Sequence, residues 1–236
     1  MNRTFTNKIR WVMDELLLDW LRNNYFFMYP FFYYWFKGKN IDLYMRFKTL
    51  VKAMTEAEIR EVYQELDCRA KDRETDLNRE CLKQIISSLD QEAETLVDLG
   101  CGRGFFLQEA DLQVNRSLSK YGLDVIDSPH SLASFHYING DLRTLPFADH
   151  SVDIVTCFHT LEHLRDLHEA LSEIMRIARK QVIVVVPRQR YFYYSLDLHL
   201  HFFPDATDLT SCIGLDAYTC EEVQGDWVYI GRVQKS

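Results

Sequence analysis

The sequence predicts an open α/β sheet domain with a helical appendage at its amino end. Three observations lead there. From about residue 74 onward, short apolar runs alternate with amphipathic segments, the rhythm of β-α-β units. One run, Gln181 to Pro187, is almost wholly β-branched, as suits a strand buried on both faces. A glycine-rich turn also separates the first apolar run from the helical segment after it.

The apolar runs are TLVDLG (95–100), YGLDV (121–125), FHYING (135–140), SVDIVTCF (151–158) and QVIVVVP (181–187). Each reads as a strand. Between the fourth and fifth, Leu164, Leu167, Leu171, Ile174, Met175 and Ala178 recur at steps of three and four. That spacing predicts one helix over Leu161 to Arg179, with Arg176, Arg179 and Lys180 at its basic carboxyl end. At the tail, AYTCEEVQ and WVYIGRVQ flank Gly225-Asp226 and read as two strands joined by a tight turn.

Residues 1–73 have another texture. Tyr25 to Phe36 hold ten aromatics in twelve positions, interrupted by Pro30, which is expected to break a helix. The segment before it, from Trp11, is amphipathic. Three roles fit this region: a lid over an active site, a contact with a membrane surface through residues 1–50, or packing in the core or in a homodimer. The division expected is therefore 1–73, helical, and 74–236, α/β.

Charge narrows the partners. The 236 residues carry a net −8, yet residues 1–50 hold eight Lys/Arg against four Asp/Glu, a balance of +4, so the remainder carries −12. An acidic body is a poor general binder of nucleic acid, which needs a basic face for phosphates. The six cysteines (Cys68, Cys81, Cys101, Cys157, Cys212, Cys220) show no C-x-x-C spacing, and the opening residues carry scattered charge. Free thiols in a reducing cytosol follow, with the membrane surface as an alternative address.

The chemistry starts at Val97-Asp98-Leu99-Gly100-Cys101-Gly102-Arg103-Gly104. A strand ends in an acid, and a glycine turn opens a helix whose free N–H groups face a ligand. A second acid, Asp124, ends the next strand, where a carboxylate can accept from both hydroxyls of a ribose. A nicotinamide dinucleotide usually requires G-x-G-x-x-G. Here the third glycine comes one position early. Asp98 directly before the turn would also repel a pyrophosphate, whereas it suits a cation. S-adenosyl-L-methionine carries a sulfonium and an ammonium and no phosphate.

Taken in order, VDLGCGRG, GLDV, NGDLRTLPFADHSVDIV and TLEHL resemble the successive motifs of class I S-adenosylmethionine-dependent methyltransferases of the methyltransferase type 11 kind, over residues 93–187. The resemblance implies a Rossmann-like, seven-stranded, mostly parallel sheet with an antiparallel last strand. It implies that Asp98, Gly100, Gly102 and Gly104 border the methionine part of the cofactor, and that Asp124 binds ribose. Val125 would pack on adenine, Asp141 would accept from the adenine amino group, and Leu142 would lie beside the ring. Phe158 and His159 would approach the methionine moiety or the methyl in transfer.

Phe158-His159-Thr160-Leu161-Glu162-His163 also reads as H-x-x-E-H, a zinc-protease pattern. That pattern needs both histidines on one helical face, and His159 directly follows a strand, so no metal is expected. Thr160 would cap the helix with His163 at its third position. Beyond the fifth strand, Arg188, Arg190, three tyrosines, His199 and His201 offer groups for an acceptor pocket. A hydroxyl acceptor must lose a proton, so His199, His201 and His159 are the candidate catalytic residues. Arg188 and Arg190 could hold an anionic acceptor.

The function expected is transfer of a methyl group to oxygen of a small molecule or of a glycan or lipid-linked precursor. The alternatives are a methyltransferase acting on nucleic acid or protein, a nicotinamide-binding oxidoreductase, and a cofactor-binding module without turnover.

Overall fold

The computed structural model describes residues 16–69, 75–114, 116–126 and 134–234. The first part of the amphipathic segment expected from Trp11 lies outside them. The chain forms two compact units: residues 1–72 with Gln189–Pro204, and Arg73–Arg188 with Asp205–Ser236. The segment Gln189–Pro204, expected in the α/β domain, thus belongs to the other unit.

In the first unit the elements are α1 (Asp19–Arg22), α2 (Tyr25–Trp35), α3 (Ile41–Met45), α4 (Phe47–Leu50) and α5 (Glu56–Arg69). Pro30 does not end α2; it sits inside it. The energetics explain this. A proline in a helix interior costs about 3 kcal/mol, mainly through the lost bond to the carbonyl four residues back. That carbonyl belongs to Phe26, which is exposed and can turn to water. Meanwhile Met28, Phe32 and Phe36 are fully buried, at roughly 1.5–3 kcal/mol each. Packing outweighs the proline.

Gln189–Pro204 is held to these helices by cations on aromatic rings. The buried Arg22 guanidinium lies 4.6 Å from the Phe192 ring centre and donates to the Tyr194 carbonyl at 2.6 Å. Lys48 donates to the Phe192 carbonyl, and its ammonium stands 4.1 Å from the Phe202 ring centre and 5.0 Å from that of Tyr191. Burial, and then repulsion from Arg22, bring the Lys48 pKa down to about 7.

The second unit runs α6 (Arg79–Ser88), β1 (Thr95–Leu99), α7 (Phe105–Gln113), β2 (Ser119–Asp124), β3 (His136–Asn139), β4 (Val152–Phe158), a 3₁₀ turn (Leu161–His163), α8 (Leu167–Ile177), β5 (Ala178–Pro187), α9 (Ala206–Ile213), β6 (Ala217–Val223) and β7 (Asp226–Arg232). The sheet order is β3-β2-β1-β4-β5-β7-β6. All pairs are parallel except β5–β7 and β7–β6. This is the mostly parallel seven-stranded sheet that the motif series implied, with β7 as the antiparallel member. The chain order reverses between β1 and β4, where open α/β sheets place their ligands.

Two boundaries differ from the sequence reading. The helix expected over Leu161 to Arg179 is a 3₁₀ turn, a break and then the shorter α8, with Asp166 in the N-cap position. Thr160 does hold the N-cap position, of the 3₁₀ turn, with His163 third, but its hydroxyl makes no capping bond and donates instead to the Phe158 carbonyl at 3.0 Å. At the other end Ala178 already belongs to β5. Arg179 and Lys180 therefore do not cap a helix; they pair with the buried Asp153 of β4. In the tail, the turn is Gln224-Gly225, both at positive φ as a type I′ hairpin requires, and Asp226 begins β7 instead.

Gly104 is the N-cap of α7 at φ +73°, and a Cβ there would lie 2.2 Å from the Phe135 ring. Gly214 follows α9 at φ +74° with open space around it. Both glycines carry the same backbone demand, and only one the steric one. Gly104→Ala should therefore lower the urea-unfolding free energy more than Gly214→Ala, by roughly the 1–3 kcal/mol of an overpacked contact. Equal losses would show that the Phe135 contact does not constrain the turn.

Candidate functional site

At the carboxyl ends of β1, β2 and β4, the acids and glycines read from sequence converge. Gly100, Gly102 and Gly104 all have positive φ, so the turn curls back on itself. The Gly100 amide donates to the Leu123 carbonyl at 2.7 Å. The Gly102 amide donates to Asp124 Oδ2 at 2.8 Å, while Asp124 Oδ1 accepts from the Ile126 amide at 3.0 Å. The acid at the tip of β2 thus ties the glycine turn to its neighbouring strand. A Cβ at Gly102 would meet no protein atom within 4 Å, so the turn has an open side there.

Asp98 lies beneath this turn and is buried. Its register partner on β4 is Thr156, whose hydroxyl donates to Asp98 Oδ1 at 2.7 Å. Burial raises the Asp98 pKa to about 7; the Thr156 bond opposes that rise and the Asp124 charge adds to it. Val125 is half-buried just past β2. After β3, Leu142 is buried. Asp141 is half-buried and forked by Arg143, whose Nε and Nη2 donate to it at 3.0 and 2.5 Å. Arg143 reaches on to Asp166 at 3.0 Å.

Phe158 ends β4 and packs edge-on against Phe106, with ring centres 4.8 Å apart. His159 follows in the left-handed region at φ +49°, its amide donating to the Val185 carbonyl. Its ring lies between two acids: Nδ1 is 3.5 Å from Glu162 and Nε2 is 3.6 Å from Asp226, separations of ion pairs and not of short hydrogen bonds. Burial by itself would depress the His159 pKa, but Asp226 and Glu162 outweigh it and push it up to about 10. At neutral pH the ring is an imidazolium with no lone pair to accept a proton, which removes the physical basis for His159 as a general base. Asp226 is steadied in turn by Asn78, whose Nδ2 donates to it at 2.9 Å while its Oδ1 caps α6 at the Cys81 amide.

His163 lies in the 3₁₀ turn, so the two histidines of H-x-x-E-H do not share a helix. His199 and His201 belong to the first unit. His199 is buried, with Nδ1 2.8 Å from Gln189 Oε1, and His201 is half-buried. Arg188 pairs with Glu222 at 3.3 Å, and Arg190 with Asp19 at 3.5 Å. Sequence reasoning met Glu162 only as the acid of H-x-x-E-H, and missed Thr156, Asp226 and Asn78. Only Asp226 left a signal, as an acid opening an apolar strand, and the neighbouring glycine drew it into the turn instead.

Two carboxyl groups, Asp98 and Asp124, at an open glycine turn suit a positive ligand better than a phosphate. Comparison with known proteins points the same way. Residues 97–186 match the family model described as a methyltransferase domain. A Mycolicibacterium smegmatis protein described as a "probable S-adenosylmethionine-dependent methyltransferase" is 29% identical over 141 residues, 55% of this chain and 54% of that protein. Malonyl-[acyl-carrier protein] O-methyltransferase of Serratia marcescens is 34% identical over 98 residues, 39% of this chain and 37% of that protein. The chain spans about half or less of the length of these curated relatives. Among solved structures, 1,6-didemethyltoxoflavin-N1-methyltransferase of Burkholderia thailandensis, with bound S-adenosylhomocysteine, superposes with a TM-score of 0.57 at 14% identity. The overlap covers 76% of this chain and 89% of that one, and it speaks for the fold.

The raised pKa values set the pH dependence of stability. His159 titrates near 6.5 unfolded and near 10 folded, so its contribution is complete below pH 6.5 and is lost as pH rises to 10. Asp98 acts in a lower window, between 3.8 and about 7, with the same sign. Lys48, brought down to about 7, acts with the opposite sign over the same range, so the measure is a difference: from pH 7 to pH 10 the melting temperature of His159→Gln should change less unfavourably than that of the parent. A variant with the parental slope would mean that the two acids do not hold the proton.

Proposed function

Because the chain carries a class I S-adenosylmethionine-dependent methyltransferase domain, we propose that it transfers the methyl group of that cofactor to an acceptor oxygen. The observation that carries the reading is Asp98, buried beneath the glycine turn and flanked by Asp124. A carboxyl that is costly to ionise when the site is empty becomes a good partner for an ammonium or sulfonium. A dinucleotide's pyrophosphate would meet repulsion at the same place, which disfavours the oxidoreductase alternative.

In this reading Asp98 and the backbone of Gly100 to Gly104 hold the methionine end. Asp124 takes the ribose hydroxyls on the oxygen atoms that already gather the Gly102 and Ile126 amides. Val125 and Leu142 flank the adenine. For Asp141 to accept from the adenine amino group, it must do so on an oxygen also used by Arg143. The cofactor supplies a methyl on a sulfonium, already a good leaving group, so the protein's work is alignment and exclusion of water. Phe158 and the αL backbone at His159 would form the wall nearest the methyl.

An oxygen acceptor fits the need for a base, and His199 or His201 remains the candidate for it. A small molecule, or a glycan or lipid-linked precursor, fits the acidic body better than nucleic acid does. The relatives' own names divide between oxygen and nitrogen acceptors, so the acceptor atom rests on chemistry and not on kinship.

Calorimetry should show binding of S-adenosylmethionine and none of NAD. Asp124→Ala and Gly102→Val should each lose most of that affinity; unchanged binding in both would displace the site. Affinity should also climb with pH up to about 7, as Asp98 gives up its proton to receive a cation, and Asp98→Asn should abolish the climb. With an acceptor in hand, whichever of His199→Gln and His201→Gln removes the base should lower kcat and leave cofactor affinity intact. Parental turnover in both variants would exclude a histidine base from this pair.

A further inference from the structure

Helix α2 has two apolar faces, and only one of them has a core to enter. Met28 and Phe32 are buried on one side. On the opposite side, at helical steps of three, four and one, stand Phe26, Tyr29, Tyr33 and Tyr34, all exposed, with Phe26 84% and Tyr34 82% accessible. No charged residue occurs anywhere from Tyr25 to Trp35. Leu16, Leu18 and Trp20 in the preceding segment are exposed as well. A helix that is apolar all round ordinarily lies in a core. An exposed patch of this kind marks a docking surface.

The residue types and the charges specify what docks. The outward side chains are mostly Tyr, Phe and Trp, not Leu or Ile. Tyrosine and tryptophan pair a large apolar ring with a polar tip, the combination that settles where hydrocarbon meets headgroups. Exposed cations follow the helix directly within residues 1–50: Lys37 and Lys39, then Arg46, against exposed Asp19 and Asp42. This excess is confined to the amino-terminal part, since residues 51–236 carry −12. An anionic surface therefore attracts one part of the chain and repels the rest, which fixes an orientation. None of the described helices is long and apolar enough to cross a membrane, so the mode available to α2 is to lie in the interface. We propose that the outward face of α2, with Lys37 and Lys39, docks on the surface of a bilayer containing anionic lipid.

The test is co-sedimentation of the full chain with phosphatidylcholine vesicles, with and without phosphatidylglycerol. The chain should pellet with the phosphatidylglycerol vesicles, and less so at high salt. Phe26→Ser with Tyr34→Ser should weaken binding at least tenfold, because two rings no longer enter the interface. Lys37→Gln and Lys39→Gln should each weaken it about fivefold, on anionic vesicles alone. All four side chains are exposed, so the melting temperature should stay at the parental value. Parental binding by the serine pair overturns the proposal, as does failure to pellet with either vesicle. If, without vesicle binding, the serine pair converts a dimer to a monomer in ultracentrifugation, the face belongs to a second copy. If it instead lowers turnover of a soluble acceptor, the face covers the protein's own site. Calorimetric binding of S-adenosylmethionine, which the serine pair leaves unchanged, keeps this outcome separate from the methyltransferase reading.

Discussion

A carboxyl group withheld from water at the tip of β1 is the constraint around which the α/β unit is organised. Ionised Asp98 would be expensive in that position, and neutral Asp98 would be an ordinary buried acid. The fold holds it near the balance point. Thr156, directly across the sheet on β4, supplies a hydrogen bond that favours the charged form. Parallel register thereby tunes an acid: the two residues meet because β1 and β4 are neighbours at the point where the chain order reverses. The glycine turn above has to curl closely to cover Asp98, and Asp124 ties down its middle amide. The cation site proposed above rests on that arrangement.

The second polar centre works by the opposite logic. Around His159 the charges are already paired inside the protein, an imidazolium between Glu162 and Asp226, with Asn78 anchoring Asp226 to the start of α6. Buried ion pairs of this kind add little net stability, since desolvation offsets attraction, but removing one partner leaves a stranded charge. Such a centre fixes geometry. It sets the backbone that leaves β4 in the left-handed conformation at His159, and so the wall beside the glycine turn. Asp98 has a neutral hydroxyl for its partner, whereas His159 has two carboxylates.

How much of this could be read from the sequence follows from the range of the interactions involved. Strands with a strong local signature, such as the β-branched run of β5, and the acid-glycine turn were legible because one short segment carries the whole message. The helix after β4 was drawn too long because Leu164 and Ala178 fit its periodicity, although one lies before α8 and the other already in β5. Pro30 misled in the other direction, since the burial that keeps α2 intact comes from residues distant in sequence. The partners of the candidate site were harder. Thr156 is one threonine in an apolar strand, and Asp226 looked like half of a turn. Nothing in either neighbourhood states that it will face Asp98 or His159. The division at Gln189 and Pro204 was hidden for the same reason: an aromatic stretch held by Arg22 and Lys48 is a tertiary fact.

The Gln224-Gly225 turn has an effect beyond its two residues. It sets the pairing of β6 with β7, and β7 in turn places Asp226 opposite Pro187 at the end of β5. Because neighbours along a strand point to opposite faces, a slip by a single position would present Trp227 where Asp226 now stands and turn the carboxylate away from the imidazole. One counter-charge of a centre built at the end of the fourth strand is therefore supplied by the hairpin of β6 and β7. A ribosome must add more than sixty residues after His159 before that centre can be neutralised, and any insertion into this hairpin would reach a histidine equally far upstream.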